Sequence, residues 1–382
     1  MAARFFLNPD APRFRTSPPS REPIEFHRRL PAYRVSPLVR APGIATRLGV
    51  GELWIKDESE RFDLGSFKGL GASWAIYRAL TERFGRPLPR WSDVDELAGH
   101  IASMGPLTLA AATDGNHGQA VAWMARLLGL KARVFVPAGT TDARIGAIEG
   151  EGASVTVVNG LYDDAVRRSA EEASERCLVI SDTAWPGYEA VPSWVIEGYS
   201  TIFWEIENEL GDAAPFDLVA VQVGVGAFAA CAVRHYHRRG LDRVPRILAV
   251  EPTKAACVLA SMEAGSIVTL PGGQDSIMAG LNCGTPSPVA WPLVSAGIDV
   301  FVAVEDERAG EAMRVFGDSG VISGESGSAG LAGLLELAEG SAETRAALTI
   351  GPDARVLVVS TEGASDPESY RRLIGAQAEL RD

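Results

Sequence analysis

Short apolar runs alternate with amphipathic stretches along most of this chain. LWIKDE, TLAAAT, ARVFVP, SVTVV, CLVISD, DLVAVQVG, RILAVEP, FVAVED and RVLVVSTEG each have the length and residue types of a strand. Between them lie helical patterns such as GQAVAWMARLLG, TDARIGAIEGEG and YDDAVRRSAEEASE, and one long helix is expected over VPSWVIEGYSTIFWEIENEL. Strands that are apolar along their whole length, with helices between them, indicate mostly parallel sheets covered on both faces. This is an α/β fold with too many strands for one sheet. The compact group from Thr108 to Asp182 reads as a smaller inserted lobe. The expected division is an arm over residues 1–24, a large lobe from 25–105 and 199–382, and a small lobe over 106–198.

Two segments fall outside this alternation. The Pro/Arg-rich start, MAARFFLNPDAPRFRTSPPSREP, lacks the continuous apolar core of a signal peptide and reads as an arm lying on the body or on a partner subunit. RFGRPLPRWSDVDELAGHIASMG is a polar insertion with a short helix over SDVDELAGHI, for which Ser92 is the expected N-cap.

Composition then narrows the function. The chain has 382 residues and a net charge of −13, and its basic clusters (His27 to Arg29, His235 to Gly240) are short. A nucleic-acid surface would need a basic face, which this balance does not supply. No apolar run reaches the roughly 20 residues of a membrane span. The four cysteines form no CxxC pair and the five histidines are scattered, so a structural zinc is not expected. A cytoplasmic enzyme acting on a small molecule is the expected class.

In open α/β sheets ligands sit beyond the carboxyl ends of strands, and four strand-end or helix-start sites stand out. They are SFKG around Lys68, ATDGNHGQA after TLAA, QVGVGAFAA after DLVAV, and VVSTEGAS after RVLVV. The third can bind phosphate. Small residues at Gly224-Val225-Gly226-Ala227 let backbone N–H groups converge where a helix begins, and the helix dipole favours an anion there. No Gly-Lys-Ser/Thr follows, so it is not a Walker A loop, and Ala229 occupies the third glycine position of a dinucleotide fingerprint. A phosphate site combined with a lysine at a small-residue helix start points to pyridoxal phosphate, which forms a Schiff base with a lysine and acts as an electron sink.

From about Glu25 onward the chain resembles the fold type II, tryptophan-synthase-β-like pyridoxal-phosphate enzymes, and among them the diaminopropionate ammonia-lyases. The resemblance is carried by FHRRLPAYRVSPL, KDESERFDLGSFKGLGAS, ATDGNHGQAVAW, DTAWPGYEAVPSWVIEGYSTIFWEI, VEPTKAACVLAS, SIMAGLNCGTPS and STEGASDP, of which TDGNHG and DTAWPGYE…P…W…GY are the specific strings. It implies that Lys68 carries the cofactor, that Phe67 packs near its ring and that Asn116 binds its phenolic oxygen. Gly224, Val225, Gly226 and Ala227 would offer amides to its phosphate, and Thr361 would meet the pyridine nitrogen. It also implies a carbon–nitrogen lyase that eliminates ammonia from 2,3-diaminopropionate, and a homodimer. Cys257 and Cys283 fall in two segments that the resemblance places near the cleft.

A substrate with an ammonium on Cβ calls for carboxylates. Asp114 stands beside the Gly115-Asn116 pair, and Asp182 ends CLVISD. Both are candidates for acid/base work and for holding the distal ammonium, although Asp also commonly caps helices and turns. A serine/threonine dehydratase or a β-replacement synthase would share Lys68, Asn116 and the phosphate turn. Asp114 argues against both, since a hydroxyl substrate needs no anion there.

Overall fold

The computed structural model describes residues 4–86, 88–113, 115–211, 216–241, 243–340, 345–346 and 350–375. Asp114 lies outside the described residues. The strands are β1 (Arg4–Leu7), β2 (Leu38–Arg40), β3 (Glu52–Asp57), β4 (Thr108–Ala112), β5 (Lys131–Pro137), β6 (Ser154–Val158), β7 (Cys177–Val179), β8 (Leu218–Gln222), β9 (Arg246–Pro252), β10 (Val300–Val304) and β11 (Arg355–Ser360). They form a seven-stranded sheet, ordered β1-β10-β9-β8-β11-β3-β2, and a four-stranded sheet, ordered β6-β5-β4-β7. Among these described strands every pair is parallel except at the two edges of the large sheet, β1 on β10 and β2 on β3.

The apolar runs behave as expected of doubly covered strands. Alternate residues point to opposite faces, so Val219, Val221, Ile247, Phe301 and Leu357 enter one core while Leu218, Ala220, Leu248, Val302 and Val358 enter another. Edge strand β6 departs from this, since Ser154, Thr156 and Val157 are exposed. The N-terminal arm docks on the body through β1. Asn8 fixes it there by donating to Ser295 O (2.8 Å) and Ile298 O (2.9 Å).

Two expectations need correcting. The polar insertion is helical over Val94–Ala102, but its N-cap is Asp93, whose carboxylate accepts from Glu96 N. Ser92 instead donates to the Glu96 carboxylate, at 2.8 Å from its N–H and 3.0 Å from its hydroxyl. The expected long helix is two, Ala190–Gly198 and Ser200–Leu210, joined at Tyr199. The break lies where this segment meets the Lys68–Phe84 helix backbone to backbone. A Cβ on Gly198 would sit 2.5 Å from Leu70 O, and one on Gly71 would sit 2.6 Å from the Tyr199 ring. Of the small residues that follow Lys68, Gly71 thus serves this close helix contact, whereas a Cβ on Gly69 would meet the Phe62 ring at 2.8 Å.

Each sheet reverses its winding at one point. β9 and β11 flank β8 in the large sheet, and β5 and β7 flank β4 in the small one. Loops leaving the carboxyl ends of neighbouring strands in opposite directions open a crevice there. The two crevices face each other, because Lys68 and Glu362, from the large-sheet side, bond Asp182 and Asn116 from the small-sheet side.

Candidate active site

One cavity gathers the strand-end residues of both sheets. Its walls include Phe67, Lys68, Asn116, Asp182, Gly224, Val225, Gly226, Ala227 and Thr361, so the structure brings together every predicted site residue that it describes. Lys68 opens its helix without a side-chain cap. The segment before it is pinned to the strand end after β11, where Phe67 N donates to Thr361 O (3.0 Å) and Gly363 N to Gly65 O (2.9 Å). Lys68 and Thr361 are therefore held in a fixed relation by main-chain bonds. The Phe67 ring is buried against Tyr199 (4.5 Å between centroids) and Phe228 (5.0 Å), and the Lys68 ammonium lies 5.6 Å from its centroid.

Lys68 Nζ donates to Asp182 Oδ2 at 2.7 Å, and Tyr162 OH donates to Asp182 Oδ1 at 2.8 Å. Burial by itself would raise the Asp182 carboxyl, but Lys68, His117 and Tyr162 together reverse that and hold it well below the usual carboxylate range. His117 is buried, and burial pushes its imidazole down. Its Nε2 bonds Ile180 O at 2.8 Å, tying the helix that starts at Asn116 to the segment leading into Asp182. Trp185 and Tyr188 are absent from the cavity wall. They stack on each other at 4.1 Å, and Tyr188 OH donates to Val179 O (2.6 Å) and accepts from Ser181 N (3.1 Å), stiffening the Asp182 loop from behind.

At the opposite end the turn after β8 enters the Ala227–Tyr236 helix. Gly226 has φ +101°, a conformation that side chains rarely adopt, and a Cβ on Gly224 would lie 3.2 Å from Cys283 Sγ. The first N–H groups of a helix have no partner within it, and the residues that carry them here line the cavity. Cys257 Sγ, 3.9 Å from Gly224 O, abuts the same turn. Cys257 and Cys283 are both buried and neither is in a disulfide; burial pushes the Cys257 thiol well up.

The residues present fit a flat aldehyde cofactor with an anionic tail. One lysine amine stands on a carboxylate, amides converge at a helix start, and a hydroxyl and a carboxamide lie between. Comparison with known proteins agrees. The family model described as pyridoxal-phosphate dependent enzyme matches residues 29–362. The diaminopropionate ammonia-lyase of Salmonella typhimurium is 36% identical, covering 92% of this chain and 91% of the relative. The Escherichia coli K12 enzyme of that name is 35% identical over 97% and 94%. The crystal structure of the Escherichia coli enzyme in complex with D-serine superposes with a TM-score of 0.88 at 32% identity, covering 98% of this chain and 97% of that one.

This chain belongs to the pyridoxal-phosphate-dependent enzymes. Within them it belongs to the diaminopropionate ammonia-lyase family, and its cofactor is pyridoxal phosphate.

Among the residues that line the cavity of this family member, the polar Tyr162, Tyr199, Gln222 and Glu362 were given no role by the sequence reading. Glu362 is buried and accepts from Ser326 N (2.9 Å) and from Asn116 Nδ2, so it orients the Asn116 amide. Gln222, Glu362 and Tyr162 each stand at the end of a strand or the start of a helix, the positional signal that had pointed to the others. Tyr199 closes the DTAWPGYE…P…W…GY string but was given no role there; it reaches the cavity from the junction between two helices.

Proposed function

We propose that this chain is a carbon–nitrogen lyase that converts 2,3-diaminopropionate to pyruvate and two ammonia, with Lys68, Asp182 and Asp114 as its acid/base groups. Lys68 would hold the cofactor through Nζ, with Phe67 and Asn116 beside it. The amides of Gly224, Val225, Gly226 and Ala227 would receive the phosphate, and the Thr361 hydroxyl the pyridine nitrogen. Pyridoxal phosphate, when bound, supplies an electron sink for the charge left on Cα when its proton is removed.

The observation that carries the substrate reading is the Lys68–Asp182 pair. An alkylammonium already sits 2.7 Å from a buried carboxylate that stays ionised. Once Lys68 is engaged elsewhere, that carboxylate would be left buried without its cation, which is costly. The Cβ ammonium of diaminopropionate replaces it, whereas the hydroxyl of serine or threonine brings no charge. Tyr162, bonded to the other carboxylate oxygen, keeps Asp182 aimed at that position. A carboxylate there also keeps the departing nitrogen protonated.

Lys68 would take the α-proton from its own side of the cleft. For a D-substrate, whose α-proton faces the other way, Asp114 is proposed as the second base, because it is the acidic residue of the TDGNHG string. The finer expectations of a homodimer and a cytoplasmic location belong to the same proposal and rest on the family resemblance. Purified protein assayed for pyruvate with L- and D-diaminopropionate, serine and threonine tests the reading. A higher kcat/KM on serine or threonine than on either diaminopropionate enantiomer would overturn it. Asp114→Asn is expected to lower kcat on the D-enantiomer by roughly 100- to 10,000-fold and to act on the L-enantiomer mainly through KM.

A further inference from the structure

Gln222, the last residue of β8, ends at the floor of the cleft beside Thr361. Its side chain is buried. Its Nε2 faces three oxygens: Val359 O at 3.2 Å, Gly327 O at 3.4 Å and Thr361 Oγ1 at 2.5 Å. Two of them are main-chain carbonyls, which can only accept. Facing them with the amide oxygen would set acceptor against acceptor, so the partners themselves decide which way the carboxamide points. The price of that orientation is visible at the other end, where Gln222 Oε1 is buried with no partner among the described residues.

The third partner follows from the first two. Facing the amide nitrogen, the Thr361 hydroxyl oxygen must accept. A hydroxyl has one hydrogen, and because its oxygen receives from Gln222, that hydrogen is left to point away from Gln222. Thr361 lines the cavity. We propose that Gln222 is a positioning residue that fixes the Thr361 hydroxyl as a donor toward the cleft, so that it meets the pyridine nitrogen of pyridoxal phosphate as a donor and keeps that nitrogen unprotonated. This rests on the reading that Thr361 is the residue facing that nitrogen.

The main chain makes the device rigid. β8 and β11 are paired neighbours, so Gln222 and Thr361 leave the ends of adjacent strands. Thr361 O is engaged by Phe67 N at 3.0 Å, which prevents the residue from turning away. Only the hydroxyl hydrogen of Thr361 retains a choice of direction, and Gln222 removes that choice. A methionine in place of Gln222 fills similar space but donates nothing. With no donor facing its oxygen, the Thr361 hydroxyl is no longer held in one direction.

The test is a double-mutant cycle on Gln222→Met and Thr361→Val, read on cofactor-free protein titrated with pyridoxal phosphate and on the absorbance maximum of the bound cofactor. Each single variant is expected to weaken cofactor binding about tenfold, the worth of one well-made hydrogen bond, and to shift the absorbance maximum. The double variant should resemble Thr361→Val alone, because without a hydroxyl Gln222 has nothing to orient. If Gln222→Met only lowers Tm, or if its effects simply add to those of Thr361→Val, the positioning role is overturned while the Thr361 reading stands. If Thr361→Val leaves affinity and spectrum unchanged, both fall. Should Gln222→Met fail to fold, Gln222→Asn, which keeps the donor on a shorter stem, decides. Binding and spectrum matching Thr361→Val support the proposal, and wild-type behaviour overturns it.

Discussion

An ion-pair cluster and a single ion pair draw their cations from the same short stretch of chain, Lys56 to Lys68, and sit in opposite surroundings. Lys56 and Arg61 pair with Glu58 and Glu205 at 2.7–2.8 Å, and all four side chains have zero exposure. Seven residues after Arg61, Lys68 pairs with Asp182 at 2.7 Å with side-chain exposures of 17% and 7%. The bond lengths barely differ, but the surroundings do. In the first cluster two cations meet two anions and the remaining sites are filled. Lys56 Nζ donates to Ser36 O (2.7 Å), Tyr33 OH to Glu205 Oε1 (2.9 Å) and Arg61 Nη1 to Arg34 O (2.8 Å). Burial works against the Arg61 charge, and Glu58 and Glu205 more than offset it, raising its pKa. The cluster anchors a turn in which Phe62 (φ +55°) and Asp63 (φ +60°) are left-handed, a strain that persists only where surrounding structure holds it. The second pair forms part of the wall of the cavity. Completeness of enclosure, more than distance, separates a charge that holds the scaffold from one that faces a cavity.

That contrast can be broken by substitution. The largest effect should be on Lys68. Lys68→Ala is expected to lower kcat/KM on diaminopropionate by at least roughly 10,000-fold, the top of the range for one positioned group. It should also remove the lysine that borohydride reduction labels in the holoenzyme. A label on another lysine would refute the assignment. Asp182→Asn should follow, at roughly 100-fold or more in rate. Because Lys68 can reach solvent, the change in Tm should be small, and calorimetry beside the pyruvate assay checks both halves.

The buried cluster should respond the other way. Arg61→Met leaves Glu205 and Glu58 short of a cation in the interior and should cost roughly 3–5 kcal/mol of stability, seen in urea unfolding. Folded protein that remains should still bind cofactor through Lys68. If Arg61→Met abolished cofactor binding without lowering stability, the division between scaffold and site would be wrong.

The smallest effect sharpens the picture beside the cluster. His27 is buried, with Nδ1 on Thr201 Oγ1 (2.7 Å) and Nε2 on Leu70 O (2.9 Å), so it is the neutral tautomer with hydrogen on Nε2. Burial, with Arg61 adding to it, holds its pKa down at about 3. The unfolded chain takes up that proton near pH 6.5 and the folded chain only near 3, so acidification between the two favours unfolding. At pH 5 this one group should remove about 2 kcal/mol relative to pH 7. His27→Gln, which keeps a donor and an acceptor, should flatten that part of the stability–pH curve, and an unchanged slope would exclude His27 as its source.

Much of this is legible in the order of residues alone. Strands that are apolar on both faces must be covered on both faces, which dictated parallel sheets flanked by helices. The strand-end rule then directed attention to Lys68, Asn116, Asp182, the Gly224–Ala227 turn and Thr361. These signals are local: a run of residues, a turn, a motif. What the chain could not display locally was decided by packing. Glu205 meets Arg61 across 144 residues and Asn116 meets Glu362 across 246, and no periodicity links either pair. Gly71 and Gly198 allow two helix backbones to touch beside Tyr199, a contact that neither segment declares alone. The direction in which the Gln222 amide points depends on two carbonyls from other parts of the chain. Residue type and order determined which chemical groups were available and on which elements they stood. Only tertiary contact decided which groups share an enclosure, and therefore which charges are balanced and which remain open to a substrate.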